Sequence, residues 1–214
     1  ESVRSKEGVR VKTGVIGAGR IGANAARLFA RTGHEVVISN SRGPETPSTI
    51  VDEIGNDTQA ATIEKAADFG NVVLEAIPFG RYEELPADCL AGKIVIDDSN
   101  YYPRRDGEIG LGGLTSTEAR HLPGSHVVKA FNTMYYETLA NEGRPGLLVE
   151  ERLVLFVAGA DEEAKGIVSR LIEEIGFASI DTGSLKDSHR QEPGAPIYNN
   201  PMTPGRAREM LAGG

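Results

Sequence analysis

Residues 13–42, TGVIGAGRIGANAARLFARTGHEVVISNSR, constrain this chain more than any other stretch. An apolar strand runs into the glycine turn Gly17-Ala18-Gly19-Arg20-Ile21-Gly22. A helix follows, with Ile21, Ala25, Leu28 and Phe29 spaced by three and four. Gly33 closes that helix, and Glu35 to Ile38 reads as a second short strand. A glycine fingerprint is informative in this strand–helix–strand setting. Gly17 permits the turn, Gly19 leaves room for a pyrophosphate against the backbone, and Gly22 lets helix and sheet approach closely. The helix then points free amides and its positive dipole end at phosphate oxygens. The expectation is a dinucleotide site.

The end of the second strand selects the dinucleotide. NAD sites place Asp or Glu there for the ribose 2′-hydroxyl. This chain has Ser39-Asn40-Ser41-Arg42, with no carboxylate before Glu45. Ser41 can donate to a 2′-phosphate and Arg42 can clamp it with parallel hydrogen bonds. NADP is therefore expected over NAD. Arg20, inside the turn, is a further candidate for phosphate or adenine contact.

Strand and helix patterns alternate to the end of the chain, which predicts an α/β fold with a doubly wound, mainly parallel Rossmann-type sheet. Later strands are expected at 58–62, 71–77, 93–97, 126–130, 153–158 and 177–180. Three of the strand ends carry unusual residues: Ile77-Pro78-Phe79, Asn100-Tyr101-Tyr102 and Phe131-Asn132-Thr133. Such ends face one crevice beside the glycine turn, where they would surround the nicotinamide. The Asn side chains suit a carboxamide or ribose hydroxyls, and Phe79, Tyr101 and Phe131 offer flat apolar walls. Glu75, near the end of a buried strand, must be paired or face that crevice. Asp97 and Asp98 are adjacent, so on a strand they point to opposite faces, which argues against paired acid–base work. His34 is read as capping the turn before its strand.

With 214 residues, the chain has room for one sizeable core but not for a large second domain. We expect residues 1–11 to be an N-terminal extension, 12–183 an NADP-binding Rossmann domain and 184–214 a C-terminal tail packed on it. A net charge of −8 argues against nucleic acid and anionic membranes as partners. The one cysteine, Cys89, excludes an internal disulfide and fits a cytoplasmic protein. The four histidines show no ligand spacing, so no metal site is expected.

The segments GVIGAGRIG, SNSR, AIPFG, KIVIDDSNYY, VVKAFNTM and IGFASIDTGSL together resemble the coenzyme F420-dependent NADP reductase family. The resemblance implies direct hydride transfer between NADPH and a deazaflavin co-substrate, coenzyme F420, in a homodimer. On that reading Gly17, Gly19, Arg20, Ile21 and Gly22 hold the pyrophosphate. Asn40, Ser41 and Arg42 hold the 2′-phosphate, and Ile77, Pro78 and Phe79 with Asn132 and Thr133 flank the nicotinamide. Such a transfer needs orientation more than an acid or base, so no catalytic side chain is singled out. The polar, Pro-rich tail differs from the apolar helical ending of archaeal members.

Three other readings compete. A flavin or ferric reductase would use the same donor site. A small carbonyl or imine reductase would need an acid such as Lys129, Tyr101 or Tyr102, and usually a long helical second domain that is missing here. A non-catalytic NADPH sensor would bind the nucleotide without turnover.

Overall fold

In a computed structural model the described residues are 10–40, 48–120 and 122–213. Ser41 and Arg42 lie outside them. Within that range the chain opens with β1 (Lys12–Ile16), α1 (Arg20–Arg31) and β2 (Glu35–Ser39). Helix α1 buries Ala25, Leu28 and Phe29 of the stripe its spacing predicts, together with Ala26 and Ala30, while Ile21 is half-buried and Arg20 and Arg31 stay exposed. Next come α2 (Ser48–Ile54), β3 (Gln59–Ala61), α3 (Ile63–Phe69), β4 (Val72–Glu75), α4 (Ala87–Leu90) and β5 (Ile94–Asp97). After α5 (Pro103–Asp106), α6 (Ser116–Arg120) is entered through a reciprocal pair: Glu118 accepts from the Thr115 amide at 2.9 Å, and Thr115 Oγ1 accepts from the Glu118 amide at 3.3 Å.

The described strands form one sheet in the order β3-β2-β1-β4-β5-β6-β7-β8, with β6 at His126–Lys129, β7 at Val154–Gly159 and β8 at Ala178–Asp181. The first six run parallel, and the order reverses between β1 and β4, where a crevice opens beyond the strand ends. Strand β7 is antiparallel to β6, overlapping it only through Val128↔Gly159 and Lys129↔Ala158, and β8 is parallel to β7. A parallel partner would need a crossover that carries the chain back past the sheet. The connection, residues 130–153, holds α7 (Tyr136–Asn141), which packs on α1, and a 3-10 turn at Val149–Glu151. The chain returns along β7 from the crevice side.

Asp161 caps α8 (Glu162–Glu174), accepting from the amides of Glu163 at 2.9 Å and Ala164 at 3.0 Å. The largest apolar cluster lies between the sheet and helices α1 and α8. The tail folds back through a 3-10 turn at Lys186–Gln191 and α9 (Pro204–Ala212). There Ile197, Met202 and Ala207 bury Val154, Phe156 and Ala178 of the last two strands. His34 does more than end a turn. Its Nε2 meets Glu174 of α8 at 2.8 Å, and its Nδ1 accepts from the Val11 amide at 3.3 Å.

Candidate active site

Register places the site. Ser39, Ile16, Glu75, Asp97 and Lys129 form one transverse row through β2, β1, β4, β5 and β6, so their successors emerge together at the carboxyl edge. At that edge a cavity of about 500 Å³ opens. One wall is Gly19, Arg20 and Ile21 at the start of α1. A second is Ala76, Ile77 and Pro78 after β4. A third is Asp98, Ser99, Asn100, Tyr102 and Arg105 after β5. Asn132, Met134, Tyr135 and Tyr136 follow β6, and Tyr198 and Asn199 of the tail close the far side.

The glycine turn has the shape its sequence requires. Gly17 sits at φ +109°, and a Cβ there would lie 2.5 Å from the Ala76 carbonyl oxygen. At Gly22 a Cβ would lie 1.9 Å from the Gly17 carbonyl oxygen, whereas one at Gly19 would meet nothing within 4 Å. Helix α1 begins at Gly19 with no side-chain cap and no acid in its first turn. Its leading amides are left for another acceptor. The Arg20 guanidinium lies over the Tyr136 ring at 4.5 Å, and Asn24 Nδ2 donates to the Tyr136 carbonyl at 2.9 Å, so α7 braces this corner.

Asn100 and Asn132 interlock across β5 and β6. Asn100 Nδ2 donates to the Asn132 carbonyl at 3.0 Å, and Asn132 Nδ2 donates to Asn100 Oδ1 at 3.1 Å and to the Gln191 carbonyl at 2.8 Å. Asn132 is 4% exposed, and its Oδ1 has no hydrogen-bond partner. A buried amide oxygen left this way needs a donor.

Ile77, Pro78, Asn100 and Asn132 thus meet Gly19, Arg20 and Ile21 in one cavity. Asn40 lies at the end of β2, half-buried beside the turn. Thr133 is buried, its carbonyl accepting from the Asn199 amide at 2.9 Å. The three aromatics expected as flat walls, Phe79, Tyr101 and Phe131, all lie outside the cavity wall. Phe79 is fully buried behind Pro78, its ring 5.3 Å from Tyr101 and 5.7 Å from Tyr82. Phe131, at φ +68°, turns into the core and packs edge-on to Phe29 at 6.0 Å. Tyr101 is tied to the next loop, donating to the Gly107 carbonyl at 3.0 Å and accepting from the Ile109 amide at 2.8 Å.

Sequence reasoning passed over Tyr198, Asn199 and Arg105, and set Asp98 aside as one of an adjacent carboxylate pair. The first two come from a tail without periodicity, so only tertiary contact brings them here. Asp97 and Asp98 do face opposite ways. Asp97 is buried: its Oδ1 accepts from the Ser99 amide at 2.9 Å and hydroxyl at 2.7 Å, and its Oδ2 from Thr117 at 2.7 Å and Lys129 Nζ at 3.2 Å. Lys129 also donates to the Ser99 carbonyl and is fully buried, so it does not offer an acid to the cavity. Glu75, likewise fully buried, sits beside Asp97 in the same row. Among the acids of the described residues, Asp98 is the one that lines the crevice. Burial raises its carboxyl well above the usual range; Asp97 adds to the rise and Lys129 opposes it. Beside it the hydroxyls of Tyr102 and Tyr198 hydrogen-bond to each other, and burial followed by that bond pushes the Tyr198 phenol up.

A doubly wound sheet with an uncapped glycine-turn helix at its switch point defines a Rossmann-type dinucleotide-binding oxidoreductase. Residues 12–101 match the model of the family described as NADP oxidoreductase, coenzyme F420-dependent. The structure of SMa0349 from Sinorhizobium meliloti superimposes with a TM-score of 0.77 and 34% identity, covering 90% of this chain and 95% of that one. A protein from Arthrobacter sp. FB24 assigned as an F420-dependent NADP-reductase gives 0.67 and 25%, covering 95% and 90%. Rat metalloreductase STEAP3 is 30% identical over 187 residues, which is 85% of this chain but only 36% of that protein. The chain therefore spans about a third of that curated relative's length. Over residues 12–101, under half of its length, the chain matches the F420-dependent NADP oxidoreductase family, and it is an NADP-dependent oxidoreductase of the Rossmann type. Among the described residues no helix is long and apolar enough to cross a membrane, and no group of three or more His, Cys, Asp or Glu could hold a metal ion.

Proposed function

We propose that this protein carries hydride between NADPH and a deazaflavin of the coenzyme F420 type, with both rings in the crevice. The observation that carries this reading is Asn132. Its Oδ1 is a buried acceptor without a donor in the wall of the cavity that the open end of α1 also lines. A nicotinamide carboxamide offers that donor, and the pyrophosphate offers acceptors for the leading amides of α1. Gly17, Gly19, Arg20, Ile21 and Gly22 would hold the pyrophosphate, and Asn40, Ser41 and Arg42 the 2′-phosphate. Ile77, Pro78, Asn100, Asn132 and Thr133 would surround the nicotinamide, with Phe79 and Phe131 supporting that wall from behind. When bound, NADPH supplies a hydride from its C4. The protein supplies proximity, water exclusion and a fixed approach.

Calorimetry with NADPH and NADH tests the first half, with at least tenfold tighter binding expected for NADPH. Arg42→Ala should erase most of that preference, since a charge-assisted hydrogen bond contributes roughly 1.5–3 kcal/mol, about ten- to a hundredfold in Kd. Equal affinity for the two nucleotides would refute the assignment. Steady-state oxidation of NADPH with coenzyme F420 against flavin mononucleotide tests the second half. The likeness to a metalloreductase favours one alternative, reduction of a flavin or ferric ion at the same donor site, and the same assay with those acceptors separates the two. Homodimeric assembly belongs to this proposal, and sedimentation velocity decides it.

A further inference from the structure

The crevice contains one acid that hydride transfer alone does not use. Asp97 is committed to four hydrogen bonds, from Ser99 twice, Thr117 and Lys129. Asp98, the next residue, lines the cavity in company with the Tyr102–Tyr198 hydroxyl pair. Arg105 holds this corner in place, donating to the Asn100 carbonyl at 2.6 Å with its guanidinium 4.9 Å from the Tyr102 ring centre. Two neighbouring carboxyl groups in such unlike surroundings are how a fold separates a structural carboxylate from a working acid.

We propose that Asp98 is the proton donor of the reaction, passing its carboxyl proton to a ring nitrogen of the acceptor while Tyr102 and Tyr198 orient that ring. This rests on the hydride-transfer reading and names the acceptor class: a conjugated nitrogen heterocycle whose two-electron reduction also takes up a proton. The C4–H bond of NADPH breaks and a C–H bond forms on the acceptor, carrying both electrons. The Asp98 O–H bond breaks and an N–H bond forms. NADPH is oxidised, the heterocycle is reduced, and the Asp98 carboxylate is reprotonated from water. The groups facing Asp98 agree with this role. Burial holds the proton on beforehand, and Lys129, behind it on β6, steadies the carboxylate left afterwards. Asp97, Tyr102, Tyr198 and Arg105 complete its surroundings. A metal ion taking single electrons would have no use for the group.

The test has two arms. In the first, 13C-carboxyl NMR of the free protein follows the titration of Asp98, assigned by its loss in Asp98→Asn. A midpoint well above the ordinary value of about 4 is expected. A midpoint near that value overturns the proposal. In the second, NADPH-dependent reduction of coenzyme F420 is measured across pH. Wild-type kcat should fall about tenfold per unit above the NMR midpoint. Asp98→Asn should lower kcat at least a hundredfold and abolish that limb, with the NADPH Kd unchanged as proof of folding. Tyr198→Phe should raise the acceptor KM and keep the limb. An Asp98→Asn protein within threefold of wild-type kcat, with the same pH profile, overturns the proposal. If flavin mononucleotide turns over and coenzyme F420 does not, the deazaflavin reading fails and the same comparison proceeds on the flavin. Turnover of neither ring counts against both.

Discussion

Two glycines three residues apart in the turn, Gly19 and Gly22, divide fold from ligand binding. At Gly22 an added methyl would sit 1.9 Å from the Gly17 carbonyl oxygen, and that oxygen is backbone, so the helix must be displaced from the sheet. Gly22→Ala should therefore lower the melting temperature and weaken NADPH binding together. At Gly19 the methyl meets nothing within 4 Å, and the position is exposed at the mouth of the cavity. Gly19→Ala should leave the melting temperature within a degree or two of wild type, since exposed changes away from such contacts rarely exceed about 0.5 kcal/mol. Its NADPH affinity should still fall about tenfold or more, because the methyl occupies the space reserved for phosphate. Thermal melts and calorimetry on the two proteins check the contrast. Asp98 adds a residue whose protonation is linked to stability. Its folded carboxyl holds the proton more tightly than the unfolded one, so its contribution is fully present below the unfolded value and is lost as pH rises through the folded value. Asp98→Asn should accordingly gain melting temperature relative to wild type as pH rises from 5 to 8.

Among the elements, β4, β5 and β6 carry the crevice on a buried charged row, Glu75, Asp97 and Lys129, in consecutive register. All three are at most 1% exposed. Burying these charges is expensive, and a buried carboxylate is tolerated when hydrogen bonds and a counter-charge surround it. Lys129→Met should cost roughly 3–5 kcal/mol in urea denaturation, because it removes the ammonium from beside Asp97 and from the Ser99 carbonyl. The loop that carries Asp98 and Asn100 would lose its tether as well. Part of this arrangement is legible in the sequence. The unit β1-α1-β2 announces itself because helical and strand periods, glycine spacing and turn residues are all local signals. The carboxylate adjacency at 97–98 is legible too, and so is its alternation of faces. Which of the two faces is the crevice depends on where β4 and β6 sit, and no local pattern encodes that. Phe131 has the same limitation. It follows a strand ending in the site, yet a φ of +68° sends it to Phe29 in the core. The reversed direction of β7 is not written locally either, since the long connection before it packs α7 on α1, a contact between segments far apart in sequence.

At the scale of the whole molecule, the tail adds a further wall to the crevice at the sheet's edge. Residues 184–214 read as polar and Pro-rich, yet Ile197, Met202 and Ala207 are at most 6% exposed against β7 and β8. The Val154 amide donates to the Met202 carbonyl at 2.9 Å, and the Asn199 amide to the Thr133 carbonyl at 2.9 Å. These contacts hold Tyr198 and Asn199 over the cavity. The surface pairing of Arg208 with Glu150, at 2.8 and 2.9 Å, is exposed on both sides and should matter little to stability. Apolar burial must then anchor the tail. Ile197→Ala should cost roughly 2–5 kcal/mol for the lost methylenes and the cavity left behind, whereas Arg208→Ala should leave the melting temperature close to that of wild type. The functional consequence separates the two faces of the crevice. Loosening Ile197 frees the neighbouring Tyr198, so the acceptor KM should rise about tenfold. The NADPH Kd should rise less than the acceptor KM, because the start of α1 faces the cavity from the side opposite Tyr198, although Asn132 and Thr133 both bond to the tail. An Ile197→Ala protein that loses NADPH binding in step with acceptor binding would mean that the tail supports the whole sheet rather than one wall of the site.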